Sequence, residues 1–204
     1  MSTQYPCLVG RLLSPYVRRL AVTLNLYEMP FERLVLSAID DEEERERVNP
    51  VGRVPAFVLS DSETLVDSNA ILDHLDELAG SEALVPPAGL PRRKALYQLA
   101  IATGAIDRAM GANAERRRQP PDDTRLKRQL RQCGNGFIAL EALLDEDAYF
   151  GGNKIGQPDV TTVVGLTFVE HIFPGTLPLT QLPKLQALAE RLESLPAFSN
   201  AKID

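Results

Sequence analysis

The stretch that most constrains the fold is residues 49–78, NPVGRVPAFVLSDSETLVDSNAILDHLDEL. It packs a turn, a proline after a β-branched residue, two strand patterns and a helix start into one short segment. Pro50 and Gly52 punctuate the turn. Pro55 pushes Val54 towards extended geometry, and a cis Val54–Pro55 bond would hold the Val54 backbone at a sharp, fixed angle. Residues 56–59 and 64–66 read as strands joined by Ser60-Asp61-Ser62-Glu63, a connection short enough for an antiparallel hairpin. Asp67 and Ser68 then precede Ile71, Leu72, Leu75 and Leu78 at helical spacing. Exposed strand-end backbone thus stands beside a helix N-terminus, which suits an extended, peptide-like ligand carrying a carboxylate.

The rest of the chain extends this pattern. Residues 5–9 form an apolar run suited to a buried strand. Ser14 is placed as N-cap and Pro15 as the first helical residue, with Val17, Leu20, Ala21 and Leu24 on one face. Residues 31–36 read as a second strand, and residues 39–48 as a charged helix or helical loop. A strand–helix–strand opening implies parallel pairing, so residues 1–79 form a small mixed α/β domain. Pro86, Pro87, Gly89 and Pro91 mark residues 80–91 as a linker.

Beyond the linker the strand patterns stop. Leu96, Leu99, Ala100, Thr103 and Met110 predict a helix over 92–118. Leu126, Leu130, Cys133, Phe137, Leu140 and Leu144 predict another. That stripe crosses Gly134 and Gly136, each costing ~1 kcal/mol against alanine in a helix interior; close helix packing and a break both stay open. Val160, Val163, Val164 and Thr167 give a third helix, and residues 182–195 a last one stopped by Pro196. The fold class is therefore α/β plus all-α, with residues 92–204 all-helical. Gly156 and Asp159 carry half of a capping box, which assigns Asp159 to folding.

Composition narrows the function. The chain has 204 residues, enough for one or two domains, and a net charge of −6, which disfavours a nucleic-acid partner. Arg116, Arg117 and Arg118 read as a solvated helix end. No apolar run approaches the ~20 residues that a membrane span needs. The start, MSTQYPCLVGRLLSP, lacks a signal-peptide pattern, so a cytoplasmic location is expected. Cys7 and Cys133 make neither a disulfide framework nor a metal site. His74 and His171 lack the partners of a catalytic triad, and no phosphate-binding or dinucleotide motif is present.

Asn49, Pro50, Gly52, Val54, Pro55, Asp67, Ser68, Ala70, Ile71 and Leu72 together resemble the thioredoxin-like domain of the glutathione S-transferase superfamily. An α/β domain followed by a helical one is also that family's plan, so the resemblance covers nearly the whole chain. It implies glutathione as cosubstrate. It implies that Val54, before Pro55, pairs its backbone with the cysteinyl part, and that Asp67 and Ser68 hold the γ-glutamyl part. Arg53 could meet the glycyl carboxylate or be an exposed turn arginine. Similar proteins carry a Ser/Thr at the position of Gly156.

Ser14-Pro15-Tyr16-Val17-Arg18 resembles the serine- or cysteine-led versions of the family's thiol-activating site. The physical demand is to stabilise a thiolate. A thiol of pKa ~8.5 is mostly protonated at neutral pH, and lowering that by ~2 units takes ~2.7 kcal/mol of differential stabilisation. A serine hydroxyl with the positive end of a helix could supply it; Tyr5 and Tyr16 are alternative donors. Serine in place of cysteine argues for transfer or isomerisation over thiol exchange. The resemblance implies a homodimeric glutathione transferase of detoxification type, acting on a small apolar electrophile held near residues 96–110. A glutathione-dependent isomerase and a non-catalytic glutathione-binding protein of the same fold are the alternatives.

Overall fold

The computed structural model describes residues 4–36, 41–60, 63–146 and 148–204. In chain order the elements are β1 (Cys7–Val9), α1 (Pro15–Leu26), β2 (Glu32–Leu34), α2 (Glu42–Val48), β3 (Ala56–Ser60), β4 (Glu63–Val66), α3 (Ser68–Ala79), α4 (Gly89–Arg116), α5 (Asp123–Leu143), α6 (Gln157–Ile172), α7 (Pro183–Glu193) and α8 (Pro196–Ser199). They gather into two compact units. One is Met1–Ala83 with Leu195–Asp204; the other is Leu84–Ser194.

The first unit is built on a sheet of order β2-β1-β3-β4. β1 runs parallel to β2, with Leu8 opposite Arg33, and antiparallel to β3, with Leu8 opposite Phe57. The β3–β4 hairpin sets Ala56 opposite Val66. β1 and β2 are shorter than the apolar runs suggested. β2 is an edge strand whose three residues are all exposed, so its ladder lasts only as far as β1 can pair with it. Ile39 and Asp40 of the charged segment, and Asp61 and Ser62 of the hairpin turn, lie outside the described residues.

Helix α1 starts at Pro15, whose missing N–H would have had no helical partner. It is buried almost all round. Val17, Leu20, Ala21 and Leu24 are buried as their spacing requires, and so are Arg18 and Arg19. The Arg18 Nε donates to the Ala201 carbonyl at 2.8 Å, and Asn25 donates to the Ala197 carbonyl at 2.9 Å. Residues 195–204 therefore pack with the first unit, whereas the sequence pattern grouped them with the helical half. Pro196 does more than stop α7, because proline is also favoured as a first helical residue and here it opens α8. Phe198 and Ala201 are buried with it.

The second unit is helical. α4 begins at Gly89, three residues before the expected start, so it takes in the end of the proposed linker; Gly89 adopts a φ of +74° there. α5 runs unbroken through both glycines. A Cβ on Gly136 would lie 2.8 Å from the Ala105 Cβ of α4, so this glycine permits a close helix crossing. A Cβ on Gly134 would make only an ordinary contact with Pro178. On the other side of α4, a Cβ on Gly165 of α6 would stand 2.9 Å from Ile106. Among the described residues no helix is long and apolar enough to cross a membrane.

Asp159, the third residue of α6, is wholly buried. Its Oδ2 accepts the Gly156 N–H at 2.8 Å and its Oδ1 accepts the Phe150 N–H at 2.9 Å. Gly156 has no hydroxyl to return the bond, and the Asp159 N–H goes to the Gly156 carbonyl at 3.0 Å. The carboxylate thus ties the loop at Phe150 to the start of α6. Asp159→Ala leaves two backbone donors without an acceptor, and we expect a loss of about 2–4 kcal/mol, read as a lower urea midpoint at unchanged m-value. Burial pushes the Asp159 carboxyl up to about 6, against the pull of the Phe150 and Gly156 N–H groups and the Arg191 charge. The folded chain thus holds this proton more tightly than the unfolded chain. The group's pH-linked contribution is full below about pH 3.8 and is lost as pH rises through about 6. Urea titrations at pH 4 and pH 7 should show Asp159→Asn, which does not titrate, gaining on the parent chain as pH rises.

Candidate functional site

The end of β1 brings the first pieces together. Gly10 donates to the Leu34 carbonyl at 2.9 Å and then turns with a φ of +128°. A Cβ there would lie 2.7 Å from Val17 Cγ2 in α1 and 2.9 Å from Val54 Cβ. Glycine alone lets the first turn of α1 and the Val54 segment close over the strand end.

Ser14 occupies the N-cap position of α1. Its carbonyl accepts from the Val17 and Arg18 N–H groups at 3.1 and 2.8 Å, yet its side chain makes no capping hydrogen bond. The half-buried hydroxyl sits at the positive end of a 12-residue helix. The segment before it is held by Asp204. Leu13 donates its N–H to Asp204 Oδ1 at 3.2 Å, Arg33 donates to Oδ2 at 2.7 Å, and Arg11 donates to the Asp204 backbone oxygen at 3.0 Å. Burial would raise the Asp204 pKa, but the Arg33 hydrogen bond, the Leu13 N–H and the charges of Arg33 and Arg11 together lower it. Tyr16 is half-buried and Tyr5 is exposed.

The Val54–Pro55 bond is cis. Val54 is half-buried and Pro55 buried. The turn before them is braced by Asn49, which is buried. Its Nδ2 donates to the Arg53 carbonyl at 2.9 Å, its Oδ1 accepts the Val51 N–H at 3.1 Å, and its own carbonyl accepts the Gly52 N–H at 2.7 Å. The Arg53 side chain is exposed on this turn.

Asp67 caps α3 from an uncommon backbone conformation, φ +71° and ψ 129°. A non-glycine residue in such a region costs about 1–3 kcal/mol, and such outliers gather at functional sites. Aspartate tolerates positive φ better than most residues. Its Oδ1 accepts the Asn69 N–H at 2.7 Å. Asp67 is exposed, whereas Ser68 beside it is buried. The Ser68 hydroxyl accepts from Arg19 Nη2 at 2.6 Å, and the same nitrogen reaches Asn69 Oδ1 at 2.7 Å.

Gly10 therefore lies close to both Val17 of α1 and Val54, and α1 reaches the start of α3 through Arg19. Ser14 stands at the head of α1. Arg19 and the bracing by Asn49 were not read from sequence as parts of a site. Nothing in the primary sequence ties Arg19 to the start of α3; only the neighbours of α1 show it. The arrangement offers a hydroxyl at one helix N-terminus, an extended backbone edge, and an acid–serine pair at a second helix N-terminus. Such a set suits an extended, peptide-like ligand carrying a carboxylate.

Sheet order, cis-proline and following helical unit define a thioredoxin-like domain with a helical C-terminal partner. The chain belongs to the glutathione S-transferase superfamily. The family profile described as glutathione S-transferase, N-terminal domain, matches residues 8–83. A relative in Vibrio cholerae named probable maleylacetoacetate isomerase is 31% identical over 210 residues, covering 95% of this chain and 94% of that one. A glutathione S-transferase from Triticum aestivum is 28% identical over 206 residues, covering 98% of this chain and 94% of that one. Among solved structures, a glutathione S-transferase from Methylobacterium radiotolerans, in complex with glutathione sulfonate, shares the fold at a TM-score of 0.89 and 24% identity. That match covers 96% of this chain and 93% of the other.

Gly10→Ala tests the close approach on which the site depends. The added methyl meets Val17 and Val54 from a strained φ, and we expect a loss of about 2 kcal/mol or more. Thermal unfolding would read this as a fall of roughly 4–8 °C in midpoint.

Proposed function

We propose that this protein is a glutathione-dependent enzyme in which Ser14 stabilises the glutathione thiolate for attack on an electrophilic carbon of an apolar substrate. The observation that carries the reading is the Ser14 hydroxyl itself. It stands at the N-terminus of α1 with no capping bond to make. Directed at a sulfur, a hydroxyl donor and the helix dipole both favour the charged form of the thiol.

The other groups suit the rest of the tripeptide. The backbone of Val54, ahead of cis-Pro55, can pair with the cysteinyl amide as one strand pairs with another. The exposed Asp67 carboxylate can pair with the γ-glutamyl ammonium. Ser68, as the first residue of α3, can meet the α-carboxylate. Arg53, exposed on the turn before Val54, can take the glycyl carboxylate. Related structures support glutathione as the ligand, since the Methylobacterium radiotolerans protein was crystallised with glutathione sulfonate.

Two outcomes can follow thiolate attack. In a transferase the carbon–sulfur bond stays and a leaving group departs or a proton is taken up. In an isomerase the sulfur adds, a bond rotates and the thiolate leaves again. We give transfer as the main reading. The relative named probable maleylacetoacetate isomerase favours isomerisation as the second. Free glutathione measured after many turnovers separates them: stoichiometric loss means transfer, and full recovery means isomerisation. A homodimer, which follows from the family, and a cytoplasmic location are part of the same proposal.

Two variants test the assignments. Ser14→Ala should cut turnover by about tenfold to a hundredfold, as expected for losing a hydrogen bond to a charged atom, while glutathione binding is largely kept. Full activity in that variant would remove Ser14 from the chemistry. Asp67→Ala should weaken glutathione binding, measured by calorimetry or by retention on immobilised glutathione. Unchanged affinity would leave Asp67 as a helix cap only.

A further inference from the structure

We propose that Arg19 is a positioning residue that sets Ser68 as a hydrogen-bond donor to the α-carboxylate of the γ-glutamyl group; this rests on the glutathione reading above. Arg19 is fully buried in α1, and its Nη2 spans the first two side chains of α3. A guanidinium has donors only and keeps its charge at any accessible pH. The Ser68 oxygen must therefore accept from it, at 2.6 Å. The serine's single proton is then left to be given elsewhere. As the first residue of α3, Ser68 has no preceding helical turn whose carbonyl would take that proton. Its proton is thus available to an acceptor arriving at the helix start.

Charge points the same way. The N-terminus of α3 is the positive end of a 12-residue helix, and a buried guanidinium sits directly against it. Two positive features converge behind a side chain committed to donating. A carboxylate is the ligand group that Ser68 favours, while the exposed Asp67 carboxylate beside it favours the neighbouring ammonium of the same amino-acid end. The second acceptor, Asn69 Oδ1 at 2.7 Å, holds the guanidinium across the helix turn, so that Ser68 is fixed in place as well as in proton direction. Arg19 does not need to touch the ligand for any of this.

The test compares two tripeptides by calorimetry: glutathione, and 4-aminobutanoyl-cysteinylglycine, which is glutathione without that α-carboxylate. The parent chain should bind glutathione more tightly. Arg19→Ala should lower glutathione affinity about tenfold, equal to about 1.4 kcal/mol, and leave the analogue within about twofold of its parent value. Turnover at saturating glutathione should hold, so the loss appears in KM and not in kcat. Arg19→Lys should fall between, because an ammonium keeps the charge but not the planar fork that serves both acceptors. If the alanine variant does not fold, the lysine variant carries the comparison alone. Equal weakening of both tripeptides would reduce Arg19 to a support of the fold, and no weakening of either would remove it; each overturns the proposal. A parent chain that binds glutathione no better than the analogue overturns it too, while leaving the glutathione reading intact. A parent chain that binds neither tripeptide overturns that reading and this inference together.

Discussion

Two adjacent arginines inside one buried helix are the constraint on which the first unit turns. Taking a guanidinium out of water costs several kcal/mol unless protein acceptors take over its donors. Neighbours on a helix point about 100° apart, so Arg18 and Arg19 cannot be satisfied by one element. Arg18 reaches the Ala201 carbonyl, and Arg19 reaches Ser68 and Asn69. The helix is thereby pinned in both rotation and height. Ser14 and Arg19 lie on that same rod, separated by roughly 7–8 Å of helix rise. Whatever fixes Arg19 against α3 also fixes how far the Ser14 hydroxyl stands from the acid–serine pair.

The remaining parts of the site are placed by small residues and backbone geometry. Gly10 leaves open the space that Val17 and Val54 both approach. Asn49 acts as a miniature backbone, bonding to residues 51 and 53 so that the turn reaches Val54 in one conformation. Asp67 holds a positive φ and so delivers Ser68 inward while keeping its own carboxylate outward. Each of these costs stability locally or restricts sequence. Together they set backbone and side-chain groups before a ligand arrives, which lowers the ordering cost of binding.

What could be read from the sequence follows from these physics. The motif at 49–72 and the helical stripes of α1, α5 and α6 were legible because turn chemistry and apolar period are local properties. So was the half capping box at Gly156 and Asp159, although its second acceptor role, towards Phe150, was not. Strand lengths in β1 and β2 were overestimated, because an apolar run does not say where the neighbouring strand ends. Gly134 and Gly136 looked alike in sequence, yet only Gly136 answers a close contact, and nothing in the structure explains Gly134. The tie between Arg19 and α3 was invisible because its partner Ser68 stands 49 positions away. The grouping of residues 195–204 failed for the same reason, since helical period assigns an element but not its packing partner.

The bond from Arg18 to Ala201 joins positions 183 residues apart within a single compact unit. The order of synthesis therefore differs from the order of assembly. The strands and α1 to α3 leave the ribosome before Ala201, so Arg18 meets this carbonyl only after a further 183 residues have been made. Such a unit cannot finish folding before residues 195–204 have been made. It has to wait while the helical segment is produced and can fold inside the unclosed loop. Closing that loop then costs chain entropy that grows only slowly with its length, so the long detour is tolerated thermodynamically and its burden falls on the timing of folding.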